Sequence, residues 1–475
     1  MTPFHAAAGF GLVALSALPF AAAAADPAAE LQLLRGQIAE IRQSYEARLQ
    51  ALERRLAELQ PAPPASAGAT GPPTAAPAQQ AAAPGATSGA TAASAFNPAI
   101  SLILAGSYAN LSRDPANYRL QGFIPSGGEV GPGRRGFGLG ESELGISASI
   151  DPVFSGRLTA ALGADDSVGV EEAWFEAQGF FSGATLRGGC FLSSIGYLND
   201  RHAHTWDFVD APLAVQAFFG GPLKTDGLQL RWLAPTERFL ELGAEIGSGD
   251  AFPGSGSGRN RIGSSALFAH VGDDLGANAS WRAGLSFLHH RAEDRGYEDL
   301  NAAGVQVGNS FTGTSRTWVL DGVYKWAPGG NARRRSLTLQ GEYFRRVERG
   351  ALSHDTQGAA GGPMTGDYRA SQSGWYLQAV VQFLPSWRVG ARYDRLDSGT
   401  PRLGLVGSGG LTVADFPVLQ GARPSRGSLM VDYSPSEFSR LRLQLGADRS
   451  NPAATDRQIF LQYIMSLGAH GAHRF

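Results

Sequence analysis

From about Phe96 to its end the chain alternates apolar and polar residues one by one, in short paired segments. In DGLQLRW, Leu228, Leu230 and Trp232 face one way while Gln229 and Arg231 face the other. After the turn LAPTER, Leu240, Leu242, Ala244 and Ile246 oppose Glu241 and Glu245. The same design returns in GWYLQAVVQFLPSWRVGARYDRLD. There Leu377, Ala379, Val381 and Phe383 alternate with Gln378, Val380 and Gln382, and Val389, Ala391 and Tyr393 with Arg388, Arg392 and Asp394. A period of two is the period of a strand, and an apolar outer face over a polar inner one is the pattern of a transmembrane β-barrel. The expectation is an all-β fold, a barrel of about 16 antiparallel strands over residues 96–475. A soluble β-sandwich would have a core about half this size.

The connections sort into two kinds. Short turns are expected near 151–156, 234–238, 272–276, 385–386 and 434–438, and long outer loops near 247–262, 290–315, 347–373 and 396–426. Trp318, Trp326, Tyr343, Trp375, Trp387 and Tyr433 fall near strand ends, where aromatic girdles belong. The last alternating run, RQIFLQYIMSLG, is followed by a terminal Phe475, which reads as an assembly signal.

Three different segments precede the barrel. Residues 1–25 have an apolar run and an Ala23-Ala24-Ala25 cleavage site, the pattern of a signal peptide, although no Lys or Arg precedes the run. Within 26–60, apolar residues from Leu31 to Leu59 recur at spacings of three and four on one helix face. That stripe fits an oligomeric coiled coil in the periplasm, or a single amphipathic helix lying on a neighbour. Residues 61–95 are rich in Pro, Ala and Gly, carry no charge, and read as a disordered linker.

Composition narrows the class. Charged residues make up 17% of the 475-residue chain, its net charge is −2, and it has one cysteine, Cys190. A lone cysteine excludes an internal disulfide and a multi-cysteine metal site. No basic patch supports nucleic-acid binding, and no P-loop, G-x-S-x-G or H-E-x-x-H motif points to an enzyme.

The runs EEAWFEAQGFFSGATLRGGCFLSSIGYLN, WYLQAVVQFLPSWRVGARYDRLD and VDYSPSEFSRLRLQLGADRS resemble the phosphate-selective porin O/P family. The resemblance covers about 96–475 and implies a 16-stranded outer-membrane porin, usually a homotrimer, that passes small solutes. The chain is also similar to proteins labelled zinc-regulated TonB-dependent outer membrane receptors. Such a receptor needs a plug and about 22 strands, and residues 26–95 form no plug.

Two constellations carry candidate chemistry. SIGYLNDRHAHTWDFVDAPLAVQAFFGG follows the fifth strand and forms the third outer loop, which the resemblance places inside the pore as its constriction. It holds Asp200, His202, His204, Asp207 and Asp210, and an H-x-H pair on extended chain projects both rings to one side. One reading is a metal-binding or cation-attracting constriction with zinc as the candidate ion. The other is a hydrogen-bonded loop held to the wall by Tyr197, Trp206 and Phe208. Arg231, Arg388, Arg392, Arg440 and Arg442 share the lumen-facing parity and would form an anion path, or would pair with Glu241, Glu245, Glu342 and Asp394. The resulting expectation is an outer-membrane porin for small, candidate anionic, solutes. The alternatives are an envelope tether from outer membrane to cell wall and a zinc-linked transporter without a plug.

Overall fold

The computed structural model describes residues 98–127, 130–163, 167–179, 182–255 and 260–468. The signal peptide, coiled-coil and linker segments, and Phe475, lie outside the described residues. The strands are β1 (Ala99–Leu111), β2 (Gly136–Leu139), β3 (Ser142–Ser149), β4 (Phe154–Leu162), β5 (Val168–Gln178) and β6 (Ala184–Leu192). After the helix α1 (Leu213–Phe219) come β7 (Lys224–Leu233), β8 (Phe239–Gly247), β9 (Ser264–Leu275), β10 (Ala279–Leu300), β11 (Gln306–Trp326) and β12 (Ser336–His354). The chain continues through β13 (Met364–Leu384), β14 (Trp387–Asp397), β15 (Arg402–Leu403), β16 (Ser425–Ser436), β17 (Ser439–Arg449) and β18 (Asp456–Gly468).

Every pairing is antiparallel, and β1 bonds to β3 on one side and β18 on the other, which closes the sheet. β2 prolongs β3 along β1, and the two-residue β15 lies against β13. Setting those two aside leaves a closed barrel of 16 strands. Closure removes the free edge that lipid cannot satisfy.

Alternation sets the two faces. Leu228, Leu230, Leu242, Ile246, Leu377, Val381 and Val389 are exposed on the outer wall, while Gln229, Glu245, Gln378, Arg392 and Asp394 are buried in the lumen. All six girdle aromatics point outward. Trp318 and Trp326 are eight residues apart on β11, about 20 Å along the membrane normal for a strand tilted by roughly 40°. Such an outer surface is unstable in water and stable in a bilayer, so the barrel is a transmembrane one. Among the described residues no helix is long and apolar enough to cross a membrane.

Short turns gather at one rim, with Pro385-Ser386 and Glu437-Phe438 as two-residue connections. Several bounds differ from the sequence reading. β4 begins at Phe154 and β16 runs to Ser436, inside the turns expected at 151–156 and 434–438. The 272–276 turn lies at Gly276-Ala277-Asn278, because Asp273 and Asp274 still pair with Trp281 and Ser280. The loops expected over 290–315 and 347–373 are mostly strand: β10, β12 and β13 reach Leu300, His354 and Met364. Strands of 19–22 residues overshoot the membrane, which needs only about 9–11. Above the hydrocarbon no apolar outer face is required, so the alternation fades while the ladder continues. The overshoot raises a wall on the β10–β13 side. Inside it, Phe416, Val418 and Leu419 of the 398–424 loop pack on Phe311, Leu352 and Tyr368.

Leu429, exposed on the outer wall of β16, tests the membrane assignment. Replacing it with Arg should cost about 2–4 kcal/mol of folding stability in a bilayer. Urea titration of barrels refolded into vesicles reads this. An unchanged midpoint would mean that this face does not meet hydrocarbon.

Candidate functional site

The third outer loop, 193–223, connects β6 to β7 and folds into the lumen. Its residues Ile195, Leu198, Leu213, Ala214, Phe218 and Phe219 form an apolar core with the inward Leu288, Val319, Phe344 and Tyr376. Apolar packing alone would leave the loop's backbone dipoles unsatisfied, and the barrel wall supplies partners for them. Glu245 accepts from the Ser193 hydroxyl (2.5 Å) and the Ser194 N–H (2.9 Å). Glu342 accepts from the Tyr197 and Leu198 amides. Asp394 accepts from the Leu213 N–H at 2.9 Å, and so caps α1 from across the lumen where Pro212 has no capping side chain. Arg442 and Arg426 donate to the carbonyls of Trp206 (2.7 Å) and Ala211 (2.6 Å).

Close approach also needs glycine at Gly196, whose φ is +72° and where a Cβ would sit 2.6 Å from a Glu342 oxygen.

The five arginines singled out in the sequence all face the lumen, and each has an acidic partner. Arg231 meets Glu176 at 3.1 Å and Glu241 at 3.9 Å. Arg388 pairs with Asp207 and Asp432, Arg392 with Asp210 (2.7 Å) and Asp394 (3.1 Å). Arg442 holds Asp432 at 2.8 Å, and Arg440 lies 4.0 Å from the same carboxylate. Of the four acids expected to take them, Glu241 and Asp394 do so; Glu245 and Glu342 bind loop backbone instead.

The loop's His and Asp residues divide into two groups. Asp207 and Asp210 are taken up by Arg388, Arg392 and Arg426, and Asp200 is exposed. Burial would raise the pKa of Asp210, but Arg426 and Arg392, with a hydrogen bond from Gln444, hold it below its ordinary value of 3.8. The two histidines turn instead to strand glutamates that the sequence reading did not associate with them. His204 Nδ1 lies 2.7 Å from Glu143 Oε1, and His202 Nδ1 lies 3.2 Å from Glu143 Oε2 and 3.0 Å from Glu171 Oε2. His202 Nε2 meets Glu172 Oε2 at 3.0 Å. Burial disfavours charge on His202, yet its bonds to Glu143, Glu171 and Glu172 outweigh this and push the imidazole up to about 12. The anchoring aromatics are present too: Tyr197, Trp206 and Phe208 are all buried.

A one-residue bulge builds this cluster. β5 pairs with β4 as Thr159 opposite Glu172 and Ala160 opposite Val170, leaving Glu171 as the extra residue. A bulge re-aims a side chain, so two consecutive glutamates are buried on the lumen side. The acidic pair E-E at 171–172 and the E-S-E at 141–143 were the available signal; their register was not.

Beside the cluster is a cavity of about 530 Å³ between the loop and the β3–β5 wall. Its charged lining residues are Glu141, Glu171, Asp210 and Lys224.

The Asp210 clamp gives a pH dependence with a definite sign. A carboxyl held below its ordinary value contributes stability that is full above that value and lost as pH falls through the folded pKa. Exchange of the Val209 and Leu213 amides should therefore stay slow from pH 7 to 5 and speed up only below about 3.8. Arg392→Ala leaves Asp210 and Asp394 without that partner in a buried site, which should cost about 3–5 kcal/mol and expose the loop to exchange at neutral pH. Unchanged exchange in the variant would show that the arginine does not hold the loop.

No family model matches the chain. In fold, the barrel is similar to a loop L8 deletion mutant of OmpT, an outer membrane protein of Vibrio cholerae: TM-score 0.50, 10% identity, 78% of this chain and 99% of that one. Pseudomonas putida OprB aligns at TM-score 0.48 with 14% identity over 78% of this chain and 94% of that one. An anion-selective porin from Comamonas acidovorans aligns at 0.46 with 11% identity over 78% and 99%. In sequence, an uncharacterized protein of Aquifex aeolicus (strain VF5) is 30% identical over 406 residues, 80% of each chain. On that identity and coverage, this chain, a closed 16-stranded antiparallel barrel, belongs to the same protein family as the Aquifex aeolicus protein.

Proposed function

We propose that the chain is an outer-membrane porin for passive diffusion of small hydrophilic solutes, with a path narrowed by the third loop. The observation that carries this reading is a polar lumen in a closed 16-stranded wall, into which one loop is bonded from several sides. Such a barrel has an apolar outside that requires lipid and an inside that requires water or polar contacts. The loop's apolar core occupies the β10–β14 side, and the 530 Å³ cavity lies toward β3–β5.

The charges leave this path weakly selective. A fixed charge already paired at 3 Å attracts a passing ion far less than one facing an open passage. The five arginines are engaged with acids, and among the cavity's carboxylates Asp210 pairs with Arg392 and Arg426 and Glu171 with His202.

Planar-bilayer recording of the purified full-length protein tests both parts. Discrete open channels are expected, with a reversal potential close to zero in a potassium chloride gradient. Absence of channels would overturn the porin reading, and a strongly displaced potential of either sign would show that some lumen charges act unpaired.

A further inference from the structure

We propose that Glu143, His202, His204 and Glu171 form a binding site for a divalent transition cation of the zinc class. The site is built at the lumen face of β3 and β5 and faces the third loop.

Three carboxylates crowd around one imidazole. His202 Nε2 lies 3.0 Å from Glu172 Oε2, its Nδ1 lies 3.0 Å from Glu171 Oε2 and 3.2 Å from Glu143 Oε2, and His204 Nδ1 lies 2.7 Å from the other Glu143 oxygen. So many acidic oxygens around two rings call for positive charge among them. A proton on Nδ1 is strongly directional and serves chiefly one contact. A cation with several coordination positions, taking the place of the Nδ1 protons, serves all of them together.

Geometry points the same way. An ion with bonds of roughly 2.0–2.1 Å needs tetrahedral ligand atoms about 3.3 Å apart. The donor atoms of Glu143, His202 and His204 all lie within 4.8 Å of one another, as do those of Glu141, Glu143 and Glu171. Glu143 belongs to both sets, so small side-chain adjustments gather two imidazoles and two carboxylates. Mixed imidazole and carboxylate donors suit zinc-class ions better than magnesium or calcium, which take oxygen.

The surroundings of the donors also suit a metal ion. Ligating histidines commonly give their second ring N–H to a carboxylate, which sets the tautomer and ring orientation. Glu172 occupies that position and is itself fixed by the Trp174 indole N–H (3.2 Å), with Arg157 3.8 Å away. The β5 bulge supplies Glu171 to one side of His202 and Glu172 to the other. Glu171 and Glu141 also line the 530 Å³ cavity, so an ion in solution has a route to the donors.

The test uses full-length protein refolded in detergent and stripped with a chelator. Zinc is titrated by calorimetry, and cobalt(II) by visible absorption, which reports coordination number and ligand type. Wild type should take up one ion per chain at this site, with the cobalt spectrum of a four-coordinate nitrogen–oxygen site. The His202→Ala/His204→Ala double variant should lose it. Glu172→Gln keeps all four donors and should weaken binding about 10- to 100-fold without abolishing the cobalt spectrum. Because the double variant removes loop contacts, His204→Gln is measured beside it, with heat-modifiable gel migration as the check on folding. Zinc and cobalt uptake unaffected by His204→Gln and Glu172→Gln would overturn the proposal, as would absence of uptake by folded wild-type protein. None of these readouts depends on whether the barrel conducts.

Discussion

A peptide segment inside a barrel must find a partner for its buried backbone N–H and C=O groups, and the third loop meets this requirement from the wall around it. Glu245, Glu342 and Asp394 receive its amides, while Arg426 and Arg442 donate to its carbonyls. Unmet, each such group would cost on the order of 1–3 kcal/mol. The wall side chains are charged because a charged partner makes the stronger bond. The position of the loop, and with it the shape of the lumen, follows from this exchange between loop backbone and strand side chains.

The same requirement explains the charge distribution. A buried arginine is tolerable only when paired and fully bonded, and Arg392, Arg426 and Arg442 each combine a carboxylate with a loop carbonyl. Arg346, fully buried, bonds Gln372 and the Ala217 carbonyl and stacks over Phe218 at 4.9 Å. The cations are therefore structural ties on the β12–β17 side. On the β3–β5 side the strand acids meet the loop's histidines instead, beside the cavity.

His202 and His204 connect the loop to that acidic side. They are the loop's attachment to β3 and β5, and a cation bound at the proposed site would strengthen that tie. Loop anchoring and the proposed cation binding are thus not competing descriptions of the H-x-H pair, because the same strand glutamates would serve both.

The sequence by itself determined the barrel. Alternation is a relation between residues i and i+2, and it is enforced wherever one face meets lipid. For that reason the faces of Leu228, Gln229, Leu377 and Gln378 are legible in the sequence, as is the place of the third loop after the fifth strand. Where the strands rise above the membrane, over 290–315 and 347–373, that enforcement stops, and continued strand was indistinguishable from loop. Tertiary structure alone decided which carboxylates met which cations. Asp207 and Asp210 went to the arginines, and Glu143, Glu171 and Glu172 went to the histidines, 30 to 61 residues away in the chain. These partnerships depend on strand register and on one extra residue in β5, and neither leaves a trace in local periodicity.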